Sequence, residues 1–309
     1  MIFRPSSGQG IQGKTRMFSF ARKAVLAGVG AGLVVGFAGP SLAADITDEP
    51  LVIRDPAPVV YEEQGSYSGW YIRGDVDYHW SKFRGADYIT YGANPGTGSF
   101  DHHKLKGAMS AGIGAGYQFD NRFRTDLTLD WLAKSKFRGG TSGWCGASQC
   151  TSVDTTSYSA LLLLANAYVD LGTWHRITPY VGGGIGGAHV KWDKLDNTIC
   201  DDPNNPGCST TTHGGKKGWR FAYSLAAGAS YCLTKNLDLD VGYRFTRIEG
   251  GKMFGYAGPA GGIGAGPGHD KGLNNHEVRG GLRYTFGEGS GRCEEPQTVV
   301  YEPEPIYTK

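Results

Sequence analysis

The sequence predicts an all-β fold: an eight-stranded antiparallel transmembrane β-barrel with long loops at one end and short turns at the other. Three observations predict it. Apolar or aromatic residues recur at every second position through at least seven segments. The clearest is Leu237-Asp238-Leu239-Asp240-Val241-Gly242-Tyr243-Arg244-Phe245-Thr246, with Leu, Leu, Val, Tyr and Phe on one face and Asp, Asp, Gly, Arg and Thr on the other. A period of two makes a strand with unlike faces. Connections between these segments alternate long and short, as in barrels that span an outer membrane. Aromatic residues also gather near strand ends (Trp70, Trp80, Phe119, Phe123, Trp131, Trp219, Tyr231), where an interfacial girdle belongs.

The first strand is expected from Gly69 to Lys82, with Trp70, Ile72, Val76, Tyr78 and Trp80 opposite Arg73, Asp75, Asp77 and His79. The polar stretch Phe83–Lys104 is expected as a long loop. The second strand, Lys106–Phe119, sets Met109, Ile113, Tyr117 and Phe119 against serine, glycine and glutamine, and Asp120-Asn121 predicts a two-residue turn. The third, Arg122–Lys134, places Phe123, Leu127, Leu129 and Trp131 opposite Arg124, Asp126 and Asp130. After a loop with Cys145 and Cys150 comes the fourth, Thr156–Leu171, apolar on both faces from Leu161 to Leu164 and so undecided in its facing. The fifth, Ile177–Trp192, is blurred by Pro179 and glycines. A loop with Cys200 and Cys208 precedes the sixth, Trp219–Leu233, and Thr234–Asn236 turns into the seventh. Glycine-rich Gly250–Asn274 is the last long loop, and the eighth strand, Asn275–Phe286, ends in Tyr284-Thr285-Phe286.

The ends frame one domain. Arg22-Lys23, an uncharged run from Ala24 to Gly39 and Ser41-Leu42-Ala43 form an export signal over residues 1–43, with Met17 a second candidate start and 1–16 then an extension. The run is short for a transmembrane anchor of ~20 residues. Residues 44–66 form a Pro-bearing linker, 67–286 the barrel and 287–309 a tail. Removing Met1–Ala43 takes five of the 31 Lys/Arg and no acid, leaving 26 cations against 29 Asp/Glu. That balance gives no basic surplus for nucleic acid. A mean hydropathy of −0.33 is compatible with a barrel, because half of each strand is polar.

Alternation alone does not say which face points outward, since a lipocalin-type barrel buries its apolar face. The aromatic girdle and the aromatic final strand, Tyr284 and Phe286, favour the apolar face outward. The opposite face then gathers Arg73, Arg124, Arg220, Arg244, Arg279 and Arg283 with Asp75, Asp77, Asp126, Asp130, Asp170, Asp238, Asp240 and Glu277, a candidate interior charge lattice.

The stretches Gly69-Trp70-Tyr71-Ile72-Arg73-Gly74, Asn166-Ala167-Tyr168-Val169-Asp170-Leu171-Gly172, Pro179-Tyr180-Val181-Gly182-Gly183-Gly184-Ile185-Gly186 and Tyr284-Thr285-Phe286 carry a resemblance. In these the chain resembles the alphaproteobacterial outer-membrane β-barrels, a group similar to opacity proteins and the OmpA transmembrane domain. The resemblance covers about Ser66–Phe286. It implies a Gram-negative outer-membrane location, termini in the periplasm, and a role in envelope integrity and surface interaction without catalysis. Outer-membrane lipid and lipopolysaccharide would be its partners, with loops meeting a host surface or phage and the tail meeting the cell wall. The chain departs from the family by continuing past Phe286.

Cys145 with Cys150 and Cys200 with Cys208 lie close enough in sequence for local disulfides, and Cys232 and Cys293 are candidates for a third. Gly182–Gly187 matches G-x-G-x-x-G but lacks the βαβ context of a dinucleotide site. His102-His103 lacks a spaced third metal ligand, and no cofactor is expected. A narrow solute channel is an alternative, given the glycines of strands two and five. A lipid-modifying barrel enzyme is a second; His276 is its best outward histidine, but no companion serine accompanies it. Val59-Val60-Tyr61-Glu62 and Val299-Val300-Tyr301-Glu302 repeat one phrase at the two ends.

Overall fold

Eight long strands alternate inward and outward side chains and close on themselves. They are β1 (Gly69–Phe83), β2 (Ala108–Gln118), β3 (Phe123–Gly140), β4 (Ser148–Asp170), β5 (Ile177–Trp192), β6 (Lys217–Thr234), β7 (Leu237–Ile248) and β8 (Leu273–Thr285). Each pairs antiparallel with its sequence neighbour, and β8 pairs with β1 from Leu273↔Phe83 to Thr285↔Tyr71, completing an eight-stranded ring. This computed structural model describes residues 59–61, 67–91, 95–145, 148–200, 207–257, 264–287, 289, 291–293 and 298–300. The expected export signal (1–43), nearly all of the linker and most of the tail lie outside them. The repeated end phrase is partly described: Val59–Tyr61 pairs antiparallel with Thr298–Val300.

The apolar face is the exposed one. Along β1, Trp70 is 65% exposed and Val76 59%, while Tyr71, Arg73 and Asp75 between them are buried. From Trp70 to Trp80 the strand rises about 33 Å, which at a tilt of ~40° spans about 25 Å along the barrel axis, the height of an apolar membrane band. Leu162 and Leu164 of the ambiguous fourth strand point inward and are fully buried; Leu163 points out.

The short-turn end uses side chains to shape its connections. Phe119 N–H donates to the Phe123 carbonyl, so the first turn encloses three residues rather than the expected two. Asp120 causes this: its Oδ1 accepts from the amides of Arg122 and Phe123, each at 2.7 Å, an Asx turn that absorbs one more residue. Between β4 and β5, Trp174 and Ile177 exchange both backbone hydrogen bonds across His175 and Arg176. Both residues have positive φ, 48° and 66°, as a two-residue primed turn requires.

The long-loop end differs most from expectation. β3 continues to Gly140 and β4 begins at Ser148, well past the expected Lys134 and Thr156, because inward Phe137 and Tyr158 stay buried after the outward face has turned polar. The connections expected as loops contain strands. Ala86–Tyr91, Gly96–Ser99, Gly251–Phe254 and Gly264–Asp270 form a four-stranded sheet that joins the first and last connections. His102–Leu105 pairs with β3, and Leu195–Ile199 pairs with both β4 and Ser209–His213.

Candidate functional site

Three layers of side chains fill the lumen. Nearest the short turns, Arg283 pairs with Asp238 at 3.0 Å and Asp240 at 3.2 Å. Arg124, with no exposed side-chain surface, meets Asp170 at 3.1 Å and lies between the rings of Tyr168 and Tyr180, 4.3 and 4.7 Å from their centroids. In the middle layer Arg73 bridges Asp75 and Asp126. Arg279 reaches Asp75, Asp77 and Asp130 at 3.1–3.3 Å, and Arg244 joins Asp130 on β3 to Glu277 on β8. Most of these pairs join neighbouring or nearly neighbouring strands, and Arg244–Asp130 ties β7 to β3 on the opposite side of the ring, because period-2 alternation brings every second residue of each strand to the axis.

Inward glycines of β2 and β5 do not leave empty room beside them. A Cβ at Gly116 would lie 2.5 Å from the Tyr71 ring, at Gly112 2.3 Å from an Asp130 oxygen and at Gly182 2.3 Å from the Tyr168 ring. The room is already occupied by large side chains from the adjacent strands, the close approach for which in-strand glycine is suited.

The third layer was not anticipated. Above the ions, Phe83, Phe100, Phe137, Tyr158 and Trp192 pack largely edge to face, with centroids 5.0–6.3 Å apart, over Leu132, Leu162, Val190, Ile248 and Leu273. The Tyr158 hydroxyl marks the boundary, contacting Ser81 Oγ and donating to Asn275 Oδ1. An apolar plug therefore closes the long-loop half of the barrel.

All the residues proposed for the lattice are buried, but Arg220 does not join it. Its inward side chain stands on the far side of the plug, where it pairs with Asp270 at 2.7 Å and donates to the Lys252 carbonyl. Trp192 Nε1 donates to the same carboxylate. Position along the strand separates it from the other arginines; its facing matches theirs. Conversely, the lattice contains an arginine outside the strands. Arg292, in a single 3-10 turn (Gly291–Cys293), reaches the short-turn mouth and pairs with Asp170 at 2.6 Å. Its guanidinium lies 5.2 Å from the Tyr67 ring centroid. The next residue, Cys293, is bonded to Cys232 on β6; Cys145–Cys150 and Cys200–Cys208 are also bonded. No alternation could have disclosed Arg292. Phe83, Tyr158 and Trp192, by contrast, stand in phase with the inward residues below them.

The remaining motifs have plain surroundings. Gly182–Gly187 lies within β5. His276 belongs to the outward girdle: it stacks on Trp80 with centroids 5.8 Å apart and shares a 2.6 Å hydrogen bond with the Tyr243 hydroxyl. Among the described residues, no group of three His, Cys, Asp or Glu could hold a metal ion. Tyr284 and Phe286 are half-exposed on the outward face, in mutual edge contact at 5.3 Å.

The outer membrane protein beta-barrel domain matches residues 56–286, most of the chain. This chain belongs to the outer-membrane protein β-barrel family. An uncharacterized protein of Brucella abortus (strain 2308) is 36% identical over 82% of this chain and 95% of its own length. Outer membrane protein PagN of Salmonella typhimurium is 29% identical over 48% of the chain and 61% of its own. A protein of Rickettsia bellii that carries the name of an adhesin is 29% identical over 59% and 77%. As a member of this family the chain lies in a Gram-negative outer membrane, with lipid against its apolar belt. Its long β-structured connections then face the exterior and its short turns the periplasm, the arrangement common to such barrels.

Proposed function

We propose that the protein is a sealed outer-membrane anchor that presents a folded β-structured head to the exterior, with roles in surface attachment and envelope integrity and with neither catalysis nor solute passage. The observation that carries this reading is the filled lumen: two ionic layers and an aromatic plug stand in series where a channel would need continuous water. An eight-stranded barrel has an interior just wide enough for its own side chains to fill, and a selective pore favours a ring of one charge. The names of the Rickettsia and Salmonella relatives fit a role at the cell surface. Host surfaces and phage are partners of the head, and the cell wall is the partner of the tail.

Planar-bilayer recording on refolded protein tests the seal. No discrete conductance is expected, and reproducible single-channel steps would overturn it. Expression in a non-adherent Gram-negative host should raise binding to cultured cells, and replacing residues 86–105 and 195–213 with short turns should abolish the gain. An altered lipid A mass on overexpression would revive the enzyme reading. For the tail, deletion of Glu294–Lys309 should weaken envelope integrity; an unchanged envelope and unchanged co-purification would count against cell-wall contact.

A further inference from the structure

On the outer face of the head, just above the aromatic girdle, cations stand opposite cations. Lys104 is the cross-strand partner of Arg138, which is in turn the partner of Thr155. The Lys106 amide donates to the Lys136 carbonyl, continuing that register, and Lys136 is paired with Ser157. Directly opposed residues of antiparallel strands share a face. Lys104, Lys106, Lys136 and Arg138 therefore form two rows about 7 Å apart, with about 5 Å between partners. All four are exposed. They line a cleft of about 680 Å³ together with the Thr155, Thr156 and Ser157 hydroxyl side chains.

Like charges directly opposed destabilise a sheet, and neighbouring carboxylates do not relieve these. Asp193 is taken by Lys134 at 2.8 Å and by the Ser157 hydroxyl at 2.7 Å, and the Lys134 ammonium holds its carboxyl below the usual range. Asp196 accepts from Thr212 Oγ1 at 2.6 Å. Among the described residues, no carboxylate forms an ion pair with any of the four cations. On β3, Lys136 lies five residues beyond the girdle residue Trp131 on the same outward face, about 13 Å higher along the axis after allowing for strand tilt. That height is in the phosphorylated sugar layer of the outer leaflet, where basic side chains beside a membrane bind anionic headgroups.

We propose that this cleft is a phosphate-binding site for outer-leaflet lipopolysaccharide, with Lys104, Lys106, Lys136 and Arg138 as its cations and Thr155 as a hydroxyl donor. The site deepens the surface reading proposed above by naming one partner of the head; the seal is tested separately by conductance, so either can fail alone.

The test uses the full mature chain refolded into vesicles of phosphatidylcholine, of phosphatidylcholine with 10 mol% rough lipopolysaccharide, and of phosphatidylcholine with the same lipopolysaccharide dephosphorylated; the readout is the midpoint of heat denaturation. The phosphorylated lipid should raise the midpoint by several degrees and the dephosphorylated lipid by a third of that or less, with the difference diminishing at ~0.5 M salt. A Lys104→Gln/Lys136→Gln/Arg138→Gln variant should keep its midpoint in phosphatidylcholine alone and lose most of the rise. Lys191→Gln/Lys216→Gln/Lys217→Gln, which removes equal charge elsewhere on the head, should keep the rise. Lys104→Arg/Lys136→Arg guards against a folding defect and should also keep it. Equal rises with both lipids, equal rises in the two Gln variants, or stabilisation by soluble heparin alone would overturn the proposal; the last would mark a sulfated glycan as the ligand.

Discussion

A guanidinium sits stably inside this barrel because carboxylates from separate strands converge on it. Arg244, on β7, lies 2.9 Å from Asp130 of β3 and also contacts Glu277 of β8. Removing it leaves Glu277 buried without its ion partner, whereas Asp130 still has Arg279 at 3.1 Å. Arg244→Met is therefore expected to cost about 3–5 kcal/mol, read as a lower urea midpoint for the refolded barrel. Adding Glu277→Leu should recover much of that loss, because it removes the stranded charge. Phe137 is the apolar counterpart. Its ring lies 5.0–6.0 Å from those of Phe83, Phe100 and Trp192, and Phe137→Ala should cost about 3–5 kcal/mol through the cavity it opens. The two substitutions also report on different halves of the barrel. Charge loss disturbs the middle layer, and ring loss the plug beneath the head, so protease sensitivity of the head should rise for Phe137→Ala and not for Arg244→Met.

At the scale of elements, two fastenings hold one periplasmic turn. The Cys232–Cys293 bond spans a sequence separation of 61, for which the chain-entropy account allows stabilisation of up to ~4 kcal/mol. Arg292 adds its 2.6 Å contact with Asp170. Because both act on Gly291–Cys293, their effects should not add. Arg292→Ala should lower the unfolding midpoint clearly in the oxidised protein and less in the Cys232→Ser/Cys293→Ser background. Denaturation of the four variants under non-reducing conditions checks this; full additivity would show the fastenings to be independent. The same turn marks where sequence reading ends. The facing of β1, β6, β7 and β8 was legible because, Tyr71 apart, the inward positions between outward apolar residues are polar or small. The strand limits were not, since alternation fades once water replaces lipid outside and both faces become polar. Phe137 was hidden for a further reason: the register shifts between Leu132 and Ser135, and an extra residue there moves every later side chain to the other phase. The charge lattice could be read as a set of facing residues but not as pairs, because Arg244 and Asp130 are neighbours only after the ring has closed.

For the whole molecule, the question is whether the tail belongs to the barrel or only fastens to it. The hydrogen-bonded ring is complete before the tail begins: the Phe286 amide donates to the Trp70 carbonyl, and the Thr285 amide to Asn236. Tyr284 and Phe286 are already in the apolar belt, and the β8–β1 seam runs the full height of the barrel. Among the described residues, none from beyond β8 enters the middle ionic layer or the aromatic plug. The periplasmic layer does take in a described tail residue, Arg292. A chain ending at Phe286 should therefore still insert into the outer membrane and show the gel shift between folded and heated barrel. It keeps Arg124 on Asp170 but loses the disulfide and the second guanidinium, so its unfolding midpoint should fall to about that of Cys293→Ser/Arg292→Ala in the full chain. Equal midpoints would assign the tail's stabilising effect to those two residues. A truncated chain that fails to insert would instead place part of the assembly signal after Phe286 and make the tail an element of the fold.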